Sequence, residues 1–95
     1  MSEPLTVAEC CGCGYLAYPP RILCPNCGGG EWRSRPAGRG VVTEVTESRE
    51  GVRLAAVRSD GGVRIVARLL DEAAAGDRVE LLREGKVALA RSLPS

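Results

Sequence analysis

Four cysteines constrain this chain more than any other feature. Cys10 and Cys13 are separated by two residues, ten residues follow, and Cys24 and Cys27 repeat the same two-residue spacing. Two cysteines three apart can turn their sulfurs toward a single ion when the backbone between them forms a tight knuckle. A glycine after the second cysteine assists, because it accepts positive φ and lets backbone N–H groups approach the sulfurs. Both knuckles carry it, as Cys13-Gly14 and Cys27-Gly28, and Pro25 pre-sets φ inside the second. The spacing therefore predicts a zinc ribbon in which Cys10, Cys13, Cys24 and Cys27 bind one zinc ion as a tetrathiolate. With all four positions taken by protein sulfur, no coordination site is left to activate water, so the metal is read as structural. An ion of that kind can contribute ~10–16 kcal/mol of apparent binding free energy to a small fold.

Other uses of the cysteines fit less well. Two disulfides are disfavoured in a chain that opens Met1-Ser2-Glu3-Pro4-Leu5, which has neither the basic patch nor the apolar stretch of a secretory leader. A redox CxxC pair normally sits at a helix N-terminus in a βαβ setting, which this sequence does not present. Four thiolates can also hold iron, as in rubredoxin, and spacing alone does not separate the two metals. Cys11 has only one residue between it and Cys13, too few for a knuckle, so it is read as a spare thiol outside the ligand set.

The chain has 95 residues, enough for one small domain with a metal-bound appendage. Charged residues make up 26% and apolar ones 44%, a soluble composition, and no apolar run approaches the ~18 residues that would span a bilayer. These features lead us to expect a cytoplasmic protein. Histidine is absent, which excludes Ser–His and Cys–His nucleophile pairs, histidine bases and histidine metal sites. Asp60, Asp71, Glu72 and Asp77 fall in turns without paired partners, so no catalytic residue is assigned and independent enzymatic activity is not expected. Lys+Arg number 13 against 12 Asp+Glu, a net charge of +1 that becomes −1 when four thiolates take one divalent ion. The only aromatics, Tyr15, Tyr18 and Trp32, lie in the first third. Single-strand binders combine a basic groove with stacking side chains, so nucleic acid is disfavoured as a partner.

Tyr18-Pro19-Pro20-Arg21 predicts an extended bend that folds the second knuckle over the first, and the glycine-rich run to Gly40, through Pro36 and Gly38, reads as a linker. That places a ribbon at residues 1–38 and a second domain at 39–95. From Val41 onward the pattern is β. Val41 to Thr46 and Val52 to Ala56 flank a turn at Glu50-Gly51. Ser59-Asp60-Gly61-Gly62 is the clearest hairpin turn, followed by Val63, Ile65, Ala67 and Leu69 on one face. Asp71 to Gly76 predicts one helical turn closed by glycine, and two strands, Arg78–Arg83 and Lys86–Arg91, follow. The expected fold is mainly β: an N-terminal zinc ribbon followed by a small five-stranded OB-type β-barrel.

This order of parts resembles the acyl-CoA-associated OB-fold family whose members carry an N-terminal rubredoxin-like zinc ribbon. The resemblance rests on Cys10, Cys13-Gly14, Tyr18-Pro19-Pro20-Arg21, Cys24-Pro25-Asn26-Cys27-Gly28 and Trp32. It continues through Gly38-Arg39-Gly40, Val42, Val45, Thr46, the Ala56-Val57 to Leu69 hairpin and Gly76-Asp77-Arg78-Val79. It implies a non-catalytic accessory subunit of a thiolase-superfamily or hot-dog-fold enzyme acting on acyl-CoA or other acyl thioesters. Such a subunit helps to bind substrate or stabilises its partner, with acyl-CoA at the shared interface. No residue of this sequence is assigned to substrate; Arg64 and Arg68 read as a solvated strand face rather than as contacts to a CoA phosphate. The competing class is a nucleic-acid-binding zinc-ribbon/OB protein, since both folds also serve that purpose.

Overall fold

The structure, a computed structural model, describes residues 2–18 and 20–93; Pro19, half of the expected two-proline bend, lies outside the described residues. Every regular element among them is a strand, so no helix is long and apolar enough to cross a membrane.

The second half builds a closed five-stranded barrel, as the sequence predicts. Its strands are β5 (Arg39–Glu47), β6 (Arg53–Ser59), β7 (Arg64–Leu69), β8 (Arg78–Glu84) and β9 (Val87–Ser92). β5, β6 and β7 form an antiparallel meander. The chain then crosses to lay β8 beside β5, and β9 closes the ring, antiparallel to β8 and parallel to β7. Closure leaves the barrel without a free edge. Alternation along β7 turns Ile65, Ala67 and Leu69 inward and leaves Arg64, Val66 and Arg68 exposed. The inward positions of the other strands carry small or branched residues: Val42, Ala55, Val57, Val79, Leu81, Ala88 and Ala90. No aromatic ring is needed to fill a barrel this narrow.

Gly40 shows why β5 can pair on both sides. It sits opposite Ser59 of β6 and Val79 of β8. A Cβ there would stand 2.6 Å from the Arg58 carbonyl oxygen and 2.6 Å from Val57 Cγ1, so only glycine permits this approach. Two residues on, a bulge between Val42 and Glu44 sets Thr43 out of register, and its hydroxyl donates to the Ala56 carbonyl over 3.0 Å.

Two local expectations are corrected. Asp71 to Gly76 is not helical; its amides are recruited elsewhere. Ala74 N–H donates to the Asp77 carboxylate (2.8 Å) and Gly76 N–H to the Val42 carbonyl (2.7 Å), while Ala73 is buried in the core. Asp71 meanwhile accepts from both the backbone N–H and the hydroxyl of Ser92. The stretch from Arg33 read as linker is largely strand: β4 (Trp32–Pro36) pairs with β2 (Thr6–Cys10), which also pairs with the two-residue β3 (Leu16–Ala17). Glu9 holds this sheet by accepting from Arg33 (3.0 Å) and Arg35 (2.8 Å), its opposite and next same-face neighbours.

The three-stranded sheet runs directly into the barrel. Leu5 N–H donates to the Leu81 carbonyl, Ala37 N–H to the Leu5 carbonyl and Leu81 N–H to the Gly38 carbonyl. The side chains of Leu5, Val7 and Ala37 complete the same core as the barrel strands. A short first strand, β1 (Glu3–Pro4), pairs with β8, where Arg83 donates to Glu3 over 2.8 Å and holds its carboxyl below the ordinary range. Residues on either side of position 38 thus share one buried cluster.

Candidate metal centre

Cys10 ends β2, which brings it opposite Trp32 at the start of β4. Beyond it the chain makes a knuckle. Gly14 N–H returns to the Cys10 carbonyl (2.9 Å), and Cys10 N–H donates to the Tyr15 carbonyl (2.8 Å). The second knuckle repeats both bonds: Gly28 N–H to the Cys24 carbonyl (2.8 Å) and Cys24 N–H to the Gly29 carbonyl (2.8 Å). Gly14 and Gly28 take φ of 81° and 78°, left-handed values that a side chain would oppose. The glycines singled out in the sequence are therefore what closes each loop.

The two loops place the sulfurs of Cys10, Cys13, Cys24 and Cys27 within 4.8 Å of one another. Cys10 and Cys27 are 3.5 Å apart and Cys13 and Cys24 are 3.7 Å apart, and all are free thiols. A tetrahedron of sulfurs around an ion at Zn–S ≈ 2.3 Å has edges of ~3.8 Å, so the cluster could hold one metal ion. Cys10 and Cys24, the first of each pair, are buried, and Cys13 and Cys27 are exposed. Cys11 is exposed and contributes no sulfur to the cluster.

Hydrogen bonding prepares the donors. Asn26, a residue the sequence analysis gave no role, donates from Nδ2 to the Cys13 sulfur and from its backbone N–H to the Cys24 sulfur, both over 3.4 Å. The Asn26 side chain, then the Tyr15 backbone, favour the Cys13 thiolate and lower its pKa to about 6. Cys27 goes the other way. The Gly29 amide favours its thiolate, but the Cys10 and Cys13 sulfurs, desolvation and the Cys24 sulfur outweigh it and push it up to about 12. Crowded thiols resist ionising together, and a divalent cation among them removes that opposition. The chemistry of the donor set thus fits a soft-ligand metal. The only sequence signal for Asn26 was its place inside the second knuckle, where an amide can reach across to the first.

Trp32 braces the loop from outside, donating from Nε1 to the Ile22 carbonyl over 3.3 Å. Ile22 and Leu23 beyond it stand exposed, at 89% and 61%.

Comparison with solved structures finds matches at high structural similarity. A chain of the solved structure described as Ltp2-ChsH2(DUF35) aldolase superimposes with a TM-score of 0.74 at 26% sequence identity. The match covers 94% of this chain and 84% of that one. No family model matches the sequence, and no curated relative does. The match takes in both the cysteine loops and the barrel, so this chain is similar over nearly its whole length to a chain of that DUF35-containing structure.

Proposed function

We propose that this protein is a non-catalytic, zinc-containing accessory subunit of an enzyme that acts on acyl-CoA or related acyl thioesters, with a thiolase-superfamily or hot-dog-fold partner. The observation that carries the reading is the match, over nearly the whole chain, to a chain of an aldolase named for two components. Cys10, Cys13, Cys24 and Cys27 would hold zinc, which supplies cross-linking of the two knuckles and no chemistry on substrate. The absence of histidine supports a division of labour in which the partner carries the acid–base and nucleophilic groups. The size of the barrel supports it too. Its interior is filled by its own side chains, so a ligand would be bound outside it, in a pocket completed by a second protein.

The test is purification of the tagged chain from its native host at moderate salt, followed by mass spectrometry. A thiolase-superfamily or hot-dog protein in near-stoichiometric amount is the expected result and identifies the reaction to assay. Recovery of the chain with RNA and ribosomal proteins, lost on nuclease treatment, would move it to the nucleic-acid-binding class instead.

A further inference from the structure

The outer face of the β6–β7 hairpin gathers three arginines that no carboxylate among the described residues pairs with. Five arginines, Arg33, Arg35, Arg78, Arg83 and Arg91, make ion pairs with carboxylates. Arg58, Arg64 and Arg68 make none among the described residues, nor do Arg21, Arg39, Arg49 and Arg53, but these three are exposed together on one face of a single hairpin. Register concentrates these charges. Arg58 lies directly opposite Arg64, Ala56 opposite Val66 and Leu54 opposite Arg68, the three alternate cross-strand pairs that share this face. Like charges placed opposite one another in a sheet repel, and such a pair gives up stability in the free protein. Between the arginines runs an apolar row, Val66 at 58% exposure and Leu54 at 36%, with small Ala56 beneath. Glu44 and Glu84 border the depressions beside Arg64 and Arg68 but stay outside ion-pair distance of them.

We infer that this face docks a protein surface with an apolar centre and an acidic rim, on the enzyme that the chain accompanies. The inference rests on the accessory-subunit reading and specifies where the partner sits. The unpaired guanidinium groups supply the rim, since arginine forks match carboxylates bidentately, and Val66 with Leu54 supplies the apolar centre. Charge complementarity of this kind steers association and fixes register. The same face would offer a nucleic-acid strand its cations but no ring to stack on, because the aromatics are confined to residues 15–32.

The partner enzyme purified with the tagged chain is titrated, at low and moderate salt, against wild-type protein, the Arg58→Glu/Arg64→Glu double variant, Val66→Asp and, as a comparator on the ribbon loop, Ile22→Ser/Leu23→Ser. The double variant should bind at least about tenfold more weakly, chiefly through slower association, and lose most of its salt dependence. Val66→Asp should dissociate faster. Both should keep wild-type melting and metal content, since the three side chains are exposed. Wild-type affinity in both hairpin variants, in an enzyme that binds the wild-type chain, overturns the inference and leaves the accessory reading standing. No acyl-thioester enzyme binding the wild type overturns both. Single-stranded RNA binding that the double variant abolishes also overturns it.

Discussion

At the scale of single residues, the metal centre divides its cysteines unequally. Cys10, Cys13, Cys24 and Cys27 converge, while Cys11 is exposed outside the cluster. On the proposed ligand set, Cys24→Ser should abolish stoichiometric metal binding, and Cys11→Ser should keep one metal ion per chain; loss in both, by metal analysis, would refute that set. Asn26 makes a finer test. Its amide lowers the Cys13 pKa, so protons compete poorly for that sulfur. Acid favours the metal-free form, because protons and metal compete for the same thiolates. Asn26→Ala removes a donor to the thiolate and should raise the pH at which the metal is released by roughly half a unit to one unit. Release at an unchanged pH in a spectroscopic titration would show that the amide does not tune the site. The knuckles themselves were legible because their chemistry is local: cysteine spacing and a following glycine determine each loop. Asn26 was not, since its bond to Cys13 crosses between loops.

At the scale of elements, the barrel strands were legible from alternation and turn residues, and the Ser59 to Gly62 hairpin turn falls where its sequence places it. β4 was not legible, because Trp32-Arg33-Ser34-Arg35-Pro36 has no apolar alternation. It is exposed almost throughout and is held by backbone pairing to β2 and by Glu9 reaching two arginines. The Asp71 to Gly76 segment reads as helix by local propensity, yet its amides satisfy Asp77 and Val42, a tertiary competition that propensity cannot register. Two element-level outcomes follow from these contacts. Gly40→Ala drives a methyl group into the Arg58 carbonyl and Val57 and should cost about 1–3 kcal/mol of stability in urea unfolding; an unchanged midpoint would mean that β5 can shift away from β6. Removing the metal should release the knuckle amides of Gly14 and Gly28 to hydrogen exchange while β5–β9 stay protected, because closed pairing and the core hold the barrel independently of the sulfurs. Simultaneous loss of protection in both would show that the centre supports the entire fold.

At the scale of the whole molecule, the ribbon is welded to the barrel rather than tethered to it. Leu5 bonds to Leu81 and to Ala37, and Leu5, Val7 and Ala37 lie in the same cluster as Val57, Ile65 and Val79. Such a body presents rigid surfaces and has little interior to offer, since Leu5, Val42, Val57, Ile65, Val79 and Leu81 are each almost wholly buried. A long, charged acyl-CoA would need walls that this barrel does not supply alone, and drug-sized ligands generally bury most of their surface in a pocket. On the proposed function, the partner enzyme provides the missing walls. The isolated chain should then bind acyl-CoA weakly or undetectably, and its complex with the partner at least about tenfold more tightly, as for a site whose ordering is supplied by assembly. Calorimetry on both preparations decides the matter. Equal affinity in the two would place the whole ligand site on one subunit and remove the shared pocket, even if the subunits assemble.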